Sequence, residues 1–407
     1  MNNALVTLNH RWGRVKEFIA YAQPKDFWVD ANLYPRRLTK SFIEDVMREE
    51  LIQYTQTSPY QRTLQPRIDS RNGYYYRDLD TTIGSIENIA VPRSRHGLFK
   101  PTVFQRYQRR QEAVNQIICN TFLRGISTRD AAGALRPALG FEFSASTVSR
   151  ITKRLDKNVK EFHNRKLLDE YQFLFLDGIT ISVKGALKAK KILVLVAYGI
   201  TLFGKKELMA FRIAGSESGV ACESFLDDLF RRGFEGKNLK LIITDGSKGF
   251  IHAIGMVYAH ALRQRCWVHA LRNATKTLRK NDLPDFKKDA ARIYNASSHR
   301  NAVRQFRRLK NKWFQAYPKA VRRIEKDLDS LLAFLTIPIK EQHRIFIRRQ
   351  IRTTNIIERS FREVRRRTRP MSCFKNTDSV QRVIYAIFSK LNAKWEANPL
   401  DEFTQFI

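Results

Sequence analysis

The chain has 407 residues, of which 43% are hydrophobic and 11% aromatic, so it is long enough to bury a substantial core in about two to four domains. Its 74 lysines and arginines against 39 acidic residues give a formal net charge of +35 at pH 7. This composition excludes an intrinsically disordered tail and indicates a polyanionic partner. Nucleic acid is the first candidate, and a membrane surface or a ribosome is the alternative.

The cysteines are widely spaced and form no CxxC pair, which predicts a reducing compartment and no disulfide framework. They are Cys119, Cys222, Cys266 and Cys373. The N-terminus lacks the apolar core of a signal peptide, and the most apolar run, Ile192 to Phe203, is too short to span a bilayer. We therefore expect a cytoplasmic protein with no membrane partner.

Residues 1–66 contain one clear helical pattern, TKSFIEDVMREELIQY, and are expected to form an N-terminal helical region. The apolar residues of one face are Phe42, Ile43, Val46, Met47, Leu51 and Ile52. Residues 67–110 are predicted to form a small β-rich segment, because the run RNGYYYRDLDTTIGSIENIAVPRSR alternates and contains turns at Asn72 and near Gly84.

Residues 111–165 carry a helix-turn-helix pattern, which predicts a DNA-binding domain. The three helical runs are EAVNQIICNTFLRG, STRDAAGALRPAL and SASTVSRITKRLDKNVKEF, and the basic third run would be the recognition helix. An ordinary helical subdomain is the alternative. The predicted DNA contacts in this region are Arg124, Arg129, Arg150, Lys153 and Arg154.

Residues 166–275 change to a strand-rich pattern and are predicted to be the first part of an α/β core. Three consecutive strands, YQFLFLDGITISVK, KKILVLVAYGITLFG and KKELMAFRIAG, are followed by a helix, the strand LKLIITD, a second helix and the strand ALRQRCWVHA. The order β-β-β-α-β-α-β-α is that of a ribonuclease H-like mixed sheet. Residues 276–350 would interrupt it as an all-α insertion, and residues 351–407 would complete the core with C-terminal helices.

Two aspartates are the first candidates for chemistry. Asp177 lies inside the apolar strand FLFLDGITI, and Asp245 ends the apolar strand LKLIITD. A buried carboxylate is costly unless it is paired or bound to a cation. Because the first and fourth strands lie side by side in the predicted sheet, the two carboxylates would converge, and a divalent cation would relieve their repulsion.

A third carboxylate is expected on a helix packed against the same sheet. Glu358 is our choice, although its spacing from Asn355 also fits a helix cap and Arg362 offers it an ion pair. Glu363 competes on sequence grounds alone. Three carboxylates would hold two Mg²⁺ ions, with Mn²⁺ as a substitute, for in-line displacement at a phosphodiester.

Cys266 and His269 form a Cys-x-x-His pair. A structural zinc site would need a second pair at suitable spacing, and the sequence offers none. A histidine that contacts phosphate and a histidine packed at a strand end remain the alternatives. Ten arginines follow between Arg344 and Arg369, and we expect part of this run to bind DNA phosphates. The predicted contacts are Arg359, Arg362, Arg365 and Arg366.

The combination of motifs resembles the Mutator-like transposases of bacterial insertion sequences, which have the DDE type of active site. The resemblance rests on FLFLDGI, ITDGSKGF, QRCWVHALRN and TTNIIERSFREVRRRT, and it extends upstream through RNGYYYRDLDTTIG, VPRSRHGLF and RYQRR. It therefore covers most of the chain after about residue 65.

The resemblance implies that Asp177, Asp245 and Glu358 form the metal-binding catalytic triad, with Glu358 preferred over Glu363. It also implies that Cys266 and His269 lie near the active centre. The expected partners are double-stranded DNA, as terminal inverted repeats and target DNA, and further copies of the chain in a homodimer or larger oligomer on DNA. A catalytically silent DNA-binding regulator and a structure-specific nuclease are the alternatives.

Overall fold

The computed structural model describes residues 27–61, 68–105, 108–185, 188–371 and 373–406. These residues form two compact units, which divide between Thr152 and Lys153. The expectation of six segments is finer than this division and stays a prediction. The first 26 residues of the expected N-terminal helical region, and its residues 62–66, lie outside the described ranges.

The first unit contains a long helix, a β-hairpin and three short helices. Their bounds are α1 Phe27–Thr55, β1 Arg71–Thr81, β2 Gly84–Ser94, α2 Glu112–Leu123, α3 Asp130–Leu139 and α4 Ala145–Thr152. The antiparallel hairpin confirms the small β-rich segment that the alternating pattern predicted. Helix α1 packs on it through Ile43 and Met47, which share a buried cluster with Ile89 and Val91. Phe42, expected on the same face, is 68% exposed.

The second unit is built on a five-stranded mixed sheet. Its strands are β3 Tyr171–Lys184, β4 Ala189–Thr201, β5 Lys206–Ala214, β6 Leu241–Thr244 and β7 Leu262–Arg265. They lie in the order β5-β4-β3-β6-β7. The pairs β5-β4 and β4-β3 are antiparallel, and the pairs β3-β6 and β6-β7 are parallel. The mixed α/β architecture expected from the sequence is therefore observed.

Helices surround this sheet and fill the region between β7 and the C-terminus. Their bounds are α5 Leu155–Asn164, α6 Gly219–Arg231, α7 Lys248–Val257, α8 Trp267–Thr275, α9 Leu283–Tyr294, α10 His299–Trp313, α11 Pro318–Lys326, α12 Leu328–Leu332, α13 Glu341–Ile351, α14 Asn355–Thr368 and α15 Thr377–Glu396. Short 3₁₀ helices occupy Ala333–Leu335 and Asp401–Phe406. Within the described residues, the stretch from α8 to α14 contains helices and no strand.

The central strand β3 is buried on both faces, which explains its nearly continuous apolar run. Leu174 and Leu176 pack into the cluster that contains α6 and α7. On the opposite face, the Phe173 ring lies 5.4 Å from the Phe403 ring, and the Phe175 ring lies 5.5 Å from the Tyr198 ring, between centroids. The first half of this strand, from Tyr171 to Asp177, is continuously buried, so it holds the Asp177 side chain inside the protein.

One predicted helix is two helices in the structure. The run from Ser144 to Phe162 breaks at Lys153 and Arg154, between α4 and α5. Near the end of α4, the Thr152 hydroxyl donates back to the carbonyl of Ser149 at 3.0 Å, which weakens a helix. In α5, both carboxylate oxygens of Asp156 accept hydrogen bonds from Arg382 of α15, at 2.5 and 2.8 Å. Tertiary contacts of α5 therefore override the continuous helical pattern.

One further expectation about this unit is wrong in detail. The strand predicted for ALRQRCWVHA ends at Arg265, and the helix α8 begins at Trp267. Two apolar side chains of α6, Val220 and Phe230, are 78% and 45% exposed. Across the ranges described above, no helix combines the length and the apolar character needed to cross a bilayer.

The packing of β3 generates a stability prediction. Phe173→Ala should lower the free energy of unfolding by about 3 to 5 kcal/mol, because it removes a fully buried ring. Phe203→Ala, at a ring that is 49% exposed, should change it by less than about 1 kcal/mol. Denaturant unfolding followed through the tryptophans of the second unit would measure both. Equal losses in the two variants would contradict the packing described here.

Candidate active site

Asp177 and Asp245 lie beside each other where the short strand β6 ends next to the middle of β3. Strands β3 and β6 are parallel, with Leu176 paired to Thr244, and the two aspartates are the next residues on each strand. Neighbouring strands are about 4.8 Å apart, so both side chains belong to one small region. Asp177 is 8% exposed. The convergence expected from the sequence is therefore observed in the backbone register.

The turn after β6 holds Asp245 in place. Asp245 Oδ1 accepts the backbone N–H of Ser247 at 2.9 Å, and Ser247 caps helix α7. Gly246 between them has φ +89°, and a Cβ atom there would lie 2.7 Å from Arg265 Nε. Any side chain at this position would be strained and would displace Arg265, so the turn requires glycine.

The electrostatics of Asp177 reflect its crowded, buried position. The pKa of Asp177 is raised to about 7. Burial is the largest cause, and the neighbouring carboxylates of Asp245 and Glu358 contribute in the same direction. The backbone N–H of Gly178, which donates to Asp177 Oδ1 at 2.7 Å, and the nearby His269 act in the opposite direction. The three carboxylates and His269 therefore interact in the folded chain.

Cys266 connects the sheet to the start of helix α14. Its backbone N–H donates to the carbonyl of Thr244 at 2.7 Å. Its Sγ accepts from the backbone N–H and the hydroxyl of Thr354, at 3.3 and 3.4 Å. Thr354 precedes the first residue of α14, and its carbonyl accepts the N–H of Glu358 at 3.0 Å. The buried thiol thus holds the first turn of α14 against the ends of β6 and β7.

The surroundings of Cys266 also affect its ionisation. Burial would raise the pKa of the thiol, but donors of His269 and Thr354 outweigh burial and lower it. The contact with Cys266 is the main cause that raises the pKa of His269, and Asp177 and Glu358 contribute to the same direction. His269 therefore stays protonated over a wider pH range than an ordinary histidine. Its place in the first turn of α8 replaces the strand-end position considered from the sequence.

Helix α14 directs Glu358, and not Glu363, toward the aspartates. Glu358 Oε1 lies 3.6 Å from His269 Nε2. Glu363 forms ion pairs with Arg366 and Arg367 at 3.0 and 2.6 Å, and the hydrogen bond from Arg367 is the main cause that lowers its pKa. The two glutamates therefore have different surroundings. Their spacing in the sequence alone could not tell which of them faces the aspartates.

The chemistry of this cluster fits a divalent cation. Glu358 Oε1 is buried and has no hydrogen-bond partner in the described part of the chain, and the three carboxylates repel one another. Hard carboxylate oxygens are the ligands that Mg²⁺ and Mn²⁺ prefer. In the ranges that the structure describes, no three His, Cys, Asp or Glu side chains are already arranged to hold one metal ion.

The arginines predicted to contact DNA are exposed. In α14, Arg359, Arg362, Arg365 and Arg366 point to solvent, while Ile357, Phe361 and Val364 are buried. Arg366 is paired with Glu363. The DNA contacts predicted in the helix-turn-helix region are divided between the two units. Arg124, Arg129 and Arg150 are exposed in the first, and Lys153 and Arg154 are exposed in the second.

Comparisons with known proteins place the chain among the transposases. It belongs to the Mutator family of transposases, whose family model matches residues 15–398. It is 32% identical over 364 residues to the transposase for insertion sequence element ISRM5 of Rhizobium meliloti (strain 1021), with 89% of each chain covered. It is 31% identical over 363 residues to the transposase for insertion sequence element IS256 in transposon Tn4001 of Staphylococcus aureus, covering 88% of this chain and 90% of the relative.

The raised pKa of Asp177 predicts a pH-dependent stability in metal-free protein. Between the ordinary value of 3.8 and about 7, the folded carboxyl keeps its proton while the unfolded one loses it. Its contribution to stability is therefore full below pH 3.8, falls as pH rises through this window and is lost above about 7. Asp177→Asn should become more stable than the wild type across the same window, by roughly 1 to 4 kcal/mol at its upper end.

Urea unfolding in EDTA at a series of pH values would measure this difference. Glu363→Gln is the control, because the pKa of Glu363 is lowered and its replacement should not stabilise the protein at any pH. Parallel pH profiles of the wild type and Asp177→Asn would contradict the electrostatic description of Asp177.

Proposed function

We propose that this chain is a DNA transposase that binds the terminal inverted repeats of a mobile element and catalyses metal-dependent cleavage and strand transfer. The observation that carries the proposal is the meeting of Asp177, in the middle of β3, with Asp245, directly after the parallel strand β6, and with Glu358. Membership of the Mutator family supports the transposase role, and a transposase implies DNA as the partner. The strong positive charge agrees with such a partner.

The strand order β5-β4-β3-β6-β7, with a parallel half and an antiparallel half, supports the assignment of a ribonuclease H-like core. Helices α9 to α13 then correspond to the all-α insertion. In the first unit, α2, α3 and α4 are three successive short helices, and we assign them to the helix-turn-helix that reads the element's ends. The exposed Arg150 near the end of α4 supports this assignment.

Asp177, Asp245 and Glu358 would hold the metal ions, and a DDE active site is the class that this triad defines. When bound, two Mg²⁺ ions would lower the pKa of a water or 3′-hydroxyl nucleophile and stabilise the leaving oxygen of the phosphodiester. The chain's own contribution is to fix the ligands. Asp177 is oriented by the N–H of Gly178 and Asp245 by the N–H of Ser247.

His269 and Cys266 support this centre without being ligands in the proposal. The His269 ring lies 3.6 Å from Glu358 and interacts with Asp177, and its pKa is raised. When it carries its proton, it offsets part of the negative charge of the triad. Cys266 sets the position of α14 through Thr354. A shift of a reacting group by about 1 Å can cost two orders of magnitude in rate, which gives this contact a consequence for catalysis.

Exposed arginines of α14 provide a path for the DNA backbone next to the triad. Arg359, Arg362 and Arg365 have no carboxylate partner among the described residues. They lie on the solvent side of the helix that bears Glu358. Phosphates bound there would place a scissile bond close to the carboxylates.

Replacement of any member of the triad tests the catalytic part of the proposal. Asp177→Ala, Asp245→Ala and Glu358→Ala should each abolish cleavage of a duplex that carries an element end, while DNA affinity stays within a few fold, because the binding energy comes from basic residues. Glu363→Ala is the control and should keep cleavage. Cleavage retained by Glu358→Ala and lost in Glu363→Ala would show that the third ligand is wrong.

The helix-turn-helix assignment has a separate test. The double variant Arg150→Ala/Lys153→Ala should bind the terminal repeat at least about tenfold more weakly, since two phosphate or base contacts are lost. Lys157→Ala/Lys160→Ala removes the same charge from exposed positions of α5 and should bind normally. Fluorescence anisotropy with a labelled repeat measures both, and unchanged affinity of the first variant would overturn the assignment.

A catalytically silent regulator that uses the same fold is the second candidate, and a structure-specific nuclease is the third. The presence of Asp177, Asp245 and Glu358 together favours an enzyme over the regulator. Cleavage that depends on the end sequence, followed by a joined product, would separate a transposase from a nuclease. A homodimer or larger oligomer on DNA belongs to the same proposal, since two element ends must be brought together.

A further inference from the structure

A large groove lies on the first unit, between the hairpin β1-β2 and the segment that follows it. Its volume is about 1110 Å³, which exceeds the roughly 300 to 1,000 Å³ of an ordinary small-molecule pocket. The cations that line it are Arg77, Arg93, Lys100, Arg109 and Arg110, and the carboxylates are Asp78 and Asp80. The groove therefore carries an excess of positive charge.

Both carboxylates of the groove are already engaged by the protein. Asp80 forms an ion pair with Arg110 at 2.9 Å, and the backbone of Asp80 pairs with the segment from Arg109 to Gln111. Asp78 accepts the backbone N–H of Asn88 at 2.8 Å. The contacts of Asp80 close the hairpin onto the following segment. Asp78 keeps its charge, and this one carboxylate faces four cations that have no ion-pair partner among the residues that the structure describes.

Four cations of the groove have no carboxylate partner in the described part of the chain. They are Arg77, Arg93, Lys100 and Arg109. Four like charges along one depression repel each other unless an anion lies between them. The arrangement is thus suited to a ligand with several negative charges in a row.

Aromatic rings hold two of these arginines in position. The guanidinium of Arg77 lies 4.2 Å from the centroid of the Phe104 ring, and that of Arg93 lies 5.0 Å from the centroid of the Tyr75 ring. A guanidinium stacked on a ring keeps its N–H donors available at its edge, and it loses little entropy when it binds a phosphate.

The same face of the hairpin is anchored in the core. Arg77 is paired across the hairpin with Ile89, and Tyr75 with Val91. Side chains that face each other in an antiparallel pair lie on one side of the sheet, and Ile89 and Val91 are fully buried against α1. The arginines are therefore mounted on a rigid element, as a preformed binding surface requires.

We propose that this groove is a second DNA-binding surface, which grips the phosphate backbone of duplex DNA through Arg77, Arg93, Lys100 and Arg109 independently of base sequence. The proposal rests on the proposed function, because that function makes DNA the polyanion available to this chain. The groove adds a sequence-independent contact to the base readout assigned to the helix-turn-helix. Together they would let the first unit hold DNA on either side of the element's boundary.

The test uses the full chain and two fluorescent duplexes, one of arbitrary sequence and one that carries an element end. The groove variant is Arg77→Gln/Arg93→Gln. The control variant Lys40→Gln/Arg48→Gln removes the same charge from α1, outside the groove. A third variant, Arg77→Lys/Arg93→Lys, keeps the charge and tests whether loss of packing alone explains an effect.

The groove variant should bind the arbitrary duplex at least tenfold more weakly than the control. The slope of log affinity against log salt should fall in magnitude by about 1.8, since each phosphate contact contributes about 0.9. The lysine variant should retain most of the affinity. Equal binding by the groove and control variants would overturn the proposal, and so would equal losses in the glutamine and lysine variants.

Failure of this inference is distinguishable from failure of the proposed function. A wild-type chain that binds neither duplex would contradict the proposed function itself. A wild-type chain that binds both, with an unaffected groove variant, would leave the transposase proposal intact and remove only the second surface.

Discussion

The main constraint on the second unit is that its sheet places two carboxylates side by side, where they repel each other. Asp177 is enclosed in a strand that is buried on both faces, and the parallel neighbour β6 brings Asp245 beside it. A proton on Asp177 relieves this cost below about pH 7. At higher pH, a bound cation or substrate would have to relieve it. The remaining contacts of the site, from Gly178, Ser247 and His269, orient or partly neutralise these groups.

Much of the core could be predicted from the sequence, because long apolar runs specify buried strands. The strand of Asp177 has the predicted bounds, Tyr171–Lys184, and the strand of Asp245 differs only at its ends. The β-hairpin was equally clear, since its alternation and turns are local signals. Family membership, expected from four short motifs, is confirmed by a model that spans residues 15–398.

The features that could not be predicted depend on contacts between distant parts of the chain. Spacing alone could not separate Glu358 from Glu363, because the phase of α14 is set by the hydrogen bonds of Thr354 to Cys266. The pair Cys-x-x-His was a visible motif, but its link to Thr354 had no sequence signal. The break before α5 likewise depends on Asp156 and Arg382, which are 226 residues apart. The groove as a unit could not be predicted, because its cations come both from the hairpin and from the irregular segment after it.

The link between Cys266 and Thr354 has a consequence for the order in which the parts of the candidate active site are completed during synthesis. Chain synthesis delivers the two aspartates first, then the helical insertion, and only afterwards the segment that carries Thr354 and Glu358. The basic surfaces of the first unit are complete much earlier. On the proposed function, a chain that ends before Thr354 would keep the basic surfaces of the first unit and lack the third carboxylate. Such a chain would compete with the complete protein for DNA without cleaving it.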